Sequence, residues 1–233
     1  MIPAYFKTDE FREPASPCYY LVTASGIFLV RKTELFSSVT KADAVPGLAP
    51  EEPSCSLSFP RVPREITEQL YGFFQAAFDE WEGEAVAFLY YAPESRTFGV
   101  AVPPQTLFRH RWFGGWRTEK RVVYGHLPRP EGFLKLGDAH SHADFPAFFS
   151  CTDDRDDGED GLRIVIGDLH RLEPSISVSF VASGTRFALR PEDVLEDFSA
   201  PVPPSREWLE RVVCREEGHD VDGEVWSQWA GAV

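Results

Sequence analysis

Arg64 to Tyr91 reads REITEQLYGFFQAAFDEWEGEAVAFLYY, and its two halves follow different periods. In the first half, Ile66, Leu70, Phe73, Phe74, Ala77 and Phe78 recur at helical spacing. That spacing predicts an amphipathic helix running to Trp81 and ended by Gly83. In the second half, Ala85–Tyr91 (AVAFLYY) is an uninterrupted apolar run. It is short enough to be a buried strand.

Further short β-rich runs lie on either side. Cys18 to Lys32 (CYYLVTASGIFLVRK) has two of them flanking Ala24-Ser25-Gly26, which is a hairpin pattern. Ser37 to Pro63 is rich in Pro, Ser and Glu and reads as a connector. Downstream, Thr97–Val102, Arg121–Gly125, Phe133–His142, Leu162–Ile166, Ile176–Val181 and Thr185–Leu189 read as strands, and Pro191–Phe198 and Ser205–Cys214 as short helices. Helices mixed with closely spaced, mostly antiparallel strands predict an α+β layered domain. The expected division is an N-terminal hairpin extension and connector (1–62), a central catalytic domain (63–190) and a C-terminal helical tail (191–233).

A chain of 233 residues suits one domain with additions, or one large and one small domain. Its 43% apolar share, with 19 Phe, 6 Trp and 7 Tyr, is enough for a sizeable core. The net charge is −14 and the pI is near 4.8, with no Lys/Arg run. This argues against binding to nucleic acid or to an anionic membrane, and fits a neutral or basic partner. The four cysteines, Cys18, Cys55, Cys151 and Cys214, are far apart and form no CxxC pair, which points to a reducing compartment. The start MIPAYFKTDEF does not read as a signal peptide, and no stretch approaches 18 uninterrupted apolar residues. A cytoplasmic location is therefore expected, with no membrane and no nucleic acid as partner.

Gly137 to Asp157, GDAHSHADFPAFFSCTDDRDD, carries the chemistry. His140 and His142 are two apart, so on a strand both imidazoles point to one face and reach one metal. Asp153 follows after a short loop. Two nitrogens and a carboxylate oxygen suit a catalytic Zn2+, one per chain, with a fourth position left for water. Each piece also has a simpler explanation. HxH alone is more often structural or incidental, and Ser150 with its acidic follower fits a helix N-cap. A calcium loop fails on spacing, because a register from Asp153 puts Arg155 and Ile164 at ligand positions.

Taken together, His140-x-His142, seven residues, Ser150, two residues and Asp153 resemble the signature of the JAMM, or MPN+, zinc metalloprotease family. That family includes ubiquitin isopeptidases and prokaryotic relatives acting on ubiquitin-like or sulfur-carrier proteins. The resemblance covers about residues 64–190. It implies a cytidine-deaminase-like layered domain, a mixed and mostly antiparallel sheet flanked by helices. It also implies an upstream general base at the start of a core strand. Glu84 fits, with Ala87 at the small-residue position. Glu82 is its rival, and Glu84 is preferred because it adjoins AVAFLYY.

The implied mechanism uses zinc-activated water, with Glu84 moving the proton and zinc and the Ser150 hydroxyl stabilising the oxyanion. Asp138 and Ser141 flank the histidines and either support them or only build the strand. In the segment Leu107–Trp116 (LFRHRWFGGW), the resemblance suggests that Phe108, Trp112, Phe113 and Trp116 hold an extended substrate tail; core packing explains them equally well. The expected activity is hydrolysis of an amide at the C-terminus of a ubiquitin-like protein or its conjugate, with an E1-like enzyme in the same system. The alternatives are hydrolysis of a smaller peptide or carrier-protein adduct, and a metal-free scaffold. Scaffold members typically lose zinc ligands, and this chain keeps them.

Overall fold

The computed structural model describes residues 2–112, 115–149, 159–197 and 200–217. It divides into two units, Met1–Pro53 and Ser54–Val233. The first is a four-stranded sheet in the order β1-β2-β3-β4: β1 Ala4–Phe6, β2 Cys18–Thr23, β3 Gly26–Lys32 and β4 Ser37–Lys41. The expected hairpin is β2–β3, with Thr23 opposite Gly26. Tyr19, Leu21 and Val30 form its small core. Ser37–Lys41, read as the start of a connector, pairs with β3 instead. That edge strand leaves Val39 61% exposed, so it rests on main-chain pairing and gives no apolar alternation to read.

In the second unit, helix α1 (Arg64–Trp81) buries Leu70, Phe73, Phe74 and Ala77 completely. It ends at Trp81, two residues before Gly83: Glu82 takes the left-handed conformation (φ 53°) and its N–H caps Phe78 O at 2.7 Å. Gly83 has a different purpose, since a Cβ there would lie 2.9 Å from Thr118 and 3.1 Å from Leu107. Six strands form the main sheet in the order β12-β11-β10-β9-β5-β6. They are β5 Val86–Ala92, β6 Thr97–Ala101, β9 Leu134–Ser141, β10 Gly161–Gly167, β11 Ser175–Ala182 and β12 Thr185–Leu189. Among these six strands β9 and β10 run parallel to each other and the other pairs are antiparallel.

Alternate residues of β5 belong to different clusters. Ala87 and Leu89 join α1, Ala139, Leu162, Ile164 and Ile166 in the main core, whereas Val86, Phe88 and Tyr90 form a second cluster on the opposite face. AVAFLYY is unbroken because both faces of β5 are covered.

The expected α+β MPN-type layering, a mixed sheet flanked by helices, is not what the chain forms. The structure is mostly β, 41% strand against 14% helix, in sheets of four, six and three strands. Two expected helices shrink to Pro191–Val194 and Arg206–Glu210. The prolines at 201, 203 and 204 stand between them. Val212–Glu217, expected to begin as the last helical turn, is a strand, β13, parallel to β7 (Gln105–Trp112). β7 also pairs with β8 (Gly115–Tyr124), giving the three-stranded sheet β13-β7-β8. Two adjacent β-branched residues, Val212 and Val213, favour pairing over a helical turn. Among the described residues no helix is long and apolar enough to cross a membrane.

At Gly137 the backbones of β9 and β10 leave no room for a side chain. Gly137 pairs with Leu162, and a Cβ there would lie 1.9 Å from Leu162 O. Gly137→Ala must therefore push the two strands apart, and should cost more than about 2 kcal/mol in urea denaturation. An unchanged urea midpoint would mean that the strands separate there freely.

Candidate metal centre

His140 is the next-to-last residue of β9, opposite Val86 of β5 and Val165 of β10. The chain keeps step with β10 beyond the end of β9, because His142 N–H donates to Ile166 O at 2.9 Å. Continued extension puts both imidazoles on one face. Their Nε2 atoms lie 3.3 Å apart, with ring centroids 5.2 Å apart. Two nitrogens bound to one tetrahedral zinc at its usual bond length also stand about 3.3 Å apart.

The other nitrogen of His142, Nδ1, is 3.2 Å from Pro146 O. A carbonyl only accepts, so this contact puts the proton of the neutral ring on Nδ1 and leaves the lone pair on Nε2. Phe148 packs edge-on against the same ring, at 4.7 Å and 76°. His142 is 6% exposed, so its orientation is fixed by contacts and not by solvent.

The segment after His142 is tied down in steps. Phe145 N–H donates to His142 O, and Asp168 N–H and Leu169 N–H donate to Phe145 O and Ala143 O. Gly167 permits this approach, since a Cβ there would lie 2.3 Å from Phe145 O. Ala147 is then held from both ends by β11: its N–H donates to Ser175 Oγ at 2.7 Å, and its carbonyl accepts from Ser177 Oγ at 2.8 Å. Ser150 and Asp153, the expected oxyanion donor and third ligand, lie outside the described residues. Among the described residues no three His, Cys, Asp or Glu side chains stand close enough to hold a metal. The spacing of the two Nε2 atoms fits two ligands of one zinc.

Glu84 precedes β5 and is half-buried. Val86 pairs with His140, and Ser141 N–H donates to Ala85 O at 3.0 Å. One further step along this register sets Glu84 opposite His142. Glu82 is exposed and belongs to the helix end, outside the strand ladder.

Beside the histidines, Val86, Phe88 and Tyr90 make an apolar wall with Val122, Leu127 and Phe133. Tyr124 meets Phe88 edge-on at 5.8 Å. On the other side Asp138 pairs with Arg163 of β10 at 3.4 Å. Arg163, two positions from the strand partner of His140, was not singled out from the sequence. A lone Arg inside the apolar run LRIVI was the available sign, because a buried charge requires a partner.

Of the aromatic segment, Leu107–Trp112 lies on β7 and Gly115–Trp116 on β8, which pair antiparallel. Phe108 is half-buried under the Arg121 guanidinium, 4.6 Å from the ring. The backbones of Trp112 and Trp116 lie on β7 and β8. Their side chains, and all of Phe113, lie outside what is described.

No protein-family model matches the chain, and no curated protein matches it. Among solved structures it resembles the solution structure of a Desulfitobacterium hafniense protein at 14% identity and TM-score 0.35, covering 67% of this chain and 93% of that one. A Salinibacter ruber protein, also solved in solution, is 16% identical with TM-score 0.31, covering 60% of this chain and 90% of the other.

The Pro146 contact sets a tautomer that can be measured. Long-range 1H–15N spectra of the metal-free protein above pH ~7.5, where imidazole is neutral, should show His142 protonated on Nδ1. A proton on Nε2 would leave no lone pair facing His140 and would remove His142 as an Nε2 ligand.

Proposed function

We propose that this chain is a zinc-dependent amide hydrolase. The observation that carries the reading is the convergence of two histidine Nε2 atoms at 3.3 Å while a backbone carbonyl occupies the far nitrogen of His142. Zinc would be held by His140, His142 and Asp153. When bound, it supplies Lewis acidity, which polarises a carbonyl and makes water acidic enough to attack it near neutral pH.

The remaining tasks fall to the chain. Glu84, on the register step opposite His142, accepts a proton from the attacking water and returns it to the leaving amine. Val86 and Phe88 keep bulk water from one side of the reacting groups, which strengthens each electrostatic contact made there. Ser150 offers a hydroxyl to the developing oxyanion. The spacing HxHx7SxxD supports this assignment of roles, and the assignment rests on those residues and not on the overall fold.

The proposed substrate is an amide at the C-terminus of a ubiquitin-like or sulfur-carrier-like protein. The hairpin β7–β8 supports that choice. β8 is the last strand of its sheet among the described residues, so it offers an edge along which an extended tail can pair.

Purified protein should contain about one zinc per chain by metal analysis. His140→Ala or Asp153→Ala should sharply lower it, and stoichiometric zinc in a His140/His142 double variant would refute the site. Glu84→Gln should keep the zinc and lose ~10²–10⁴-fold in rate on a tailed conjugate. A dead Glu82→Gln beside an active Glu84→Gln would move the base to Glu82. Trp112→Ala and Trp116→Ala should weaken binding of a tailed protein more than of a short peptide. Equal losses on both would leave only a packing role.

A further inference from the structure

We propose that Ser141 and Gln105 are positioning residues for Glu84: together they replace the missing main-chain partners of Ala85 and Val86 and so fix the carboxylate opposite His142. This rests on the zinc hydrolase reading and names two residues that it did not use.

The argument begins where the sheet runs out. In a regular antiparallel ladder, hydrogen-bonded residues exchange two N–H···O=C bonds. At Ala85 and Ser141 only one of these is made, from Ser141 N–H to Ala85 O. The return bond goes to a side chain instead, Ala85 N–H donating to Ser141 Oγ at 2.9 Å.

On the other edge of β5, the pairing with β6 reaches only Phe88, opposite Ala101. The main-chain groups of Val86 are taken by the amide of Gln105. Val86 N–H donates to Gln105 Oε1 at 2.9 Å, and Gln105 Nε2 donates to Val86 O at 2.9 Å. A second contact, from Gln105 Nε2 to Pro103 O at 3.3 Å, fixes the amide.

All four residues are shut away from water: Ala85 and Ser141 are 0% exposed, Gln105 3% and Val86 6%. No solvent can stand in for either side chain, and a buried main-chain N–H must find a partner. Ala85, just before β5, and Val86, its first residue, are thus held extended with side chains standing in for absent strand partners, and Glu84 is the next residue along. Gln105 is also the first residue of β7, so the same amide joins the Glu84 segment to the hairpin assigned to the substrate.

The test uses the full chain, in metal-free and cobalt-loaded forms. In metal-free protein, Ser141→Ala should raise hydrogen exchange at the Ala85 amide by at least ~100-fold relative to its neighbours, and Ser141→Thr, which keeps Oγ, should restore protection. Gln105→Ala should do the same at Val86.

In protein loaded with Co2+, Glu84→Gln should shift the visible cobalt bands. Ser141→Ala should shift them in the same direction, and should add nothing in the Glu84→Gln background. A merely structural Ser141 would lower stability equally in both backgrounds and leave the bands alone. Unchanged Ala85 exchange in Ser141→Ala overturns the clamp, as does a cobalt spectrum that responds to Glu84→Gln and not to Ser141→Ala. Wild-type protein that binds no cobalt overturns the zinc reading itself, and a responding Ala85 amide would then mark Ser141 as part of the sheet only.

Discussion

Strand β9 is hydrogen-bonded on both sides, antiparallel to β5 and parallel to β10, and everything at the candidate centre depends on that double pairing. A strand paired on two edges cannot slip by one residue without turning every side chain to the other face. Such a slip here would send His140 into the core facing α1 and bring Ala139 out to the polar face. Ala139 is fully buried beside Ala87, Leu162 and Ile164, where an imidazole has neither room nor partner. The apolar packing beneath the sheet thus sets the register, and the register sets the histidines.

Burial on the site face has a different character. Val86 stands across from His140, and Phe88 across from Asp138, so each polar residue of β9 has an apolar neighbour on β5. Arg163 then meets Asp138 from the opposite strand, largely out of solvent. A low local dielectric makes charges expensive unless they are matched, and makes matched ones rigid. The Asp138–Arg163 pair joins β9 to β10 two residues from His140, on the same face of the sheet.

Much of this was open to reading in the residues, and what was hidden was hidden for physical reasons. Helix α1 and strand β5 stand out because one has a 3.6-residue apolar period and the other none. Two histidines on one face follow from the two-residue period of a strand. Of the hairpin β7–β8 only the end, read as a strand over Arg121–Gly125, was legible, because Arg, His and Gly interrupt any alternation before it and part of its support is main-chain pairing with β13, over a hundred residues away. The C-terminal helices were overextended because an apolar periodicity of two turns does not distinguish a helix from a strand with one covered face. The layered α+β expectation came from counting those helices and from the motif's family. A local motif constrains the few residues that touch a metal and says little about how many helices surround them. Ser141 stood out only as a neighbour of the histidines, with support of them and plain strand building left open, and Gln105, a glutamine after two prolines, looks ordinary until the main-chain groups it meets are counted.

The end of a strand is a favourable place to build such a centre, and this sheet shows why. Inside the ladder, a side chain's position follows from the backbone, but its surroundings are crowded by neighbours on both sides. Beyond the ladder there is space, but the backbone wanders. His142 lies one residue past β9, at the carboxyl end of the parallel pair β9–β10, where β10 still offers a carbonyl to hold its N–H. Glu84 lies two residues before β5, where two side chains hold what the strands no longer reach. Both groups therefore take the precision of the sheet at the point where its pairing ends, and positioning of that kind is what reacting groups require, since they must approach within a few tenths of an ångström of their target.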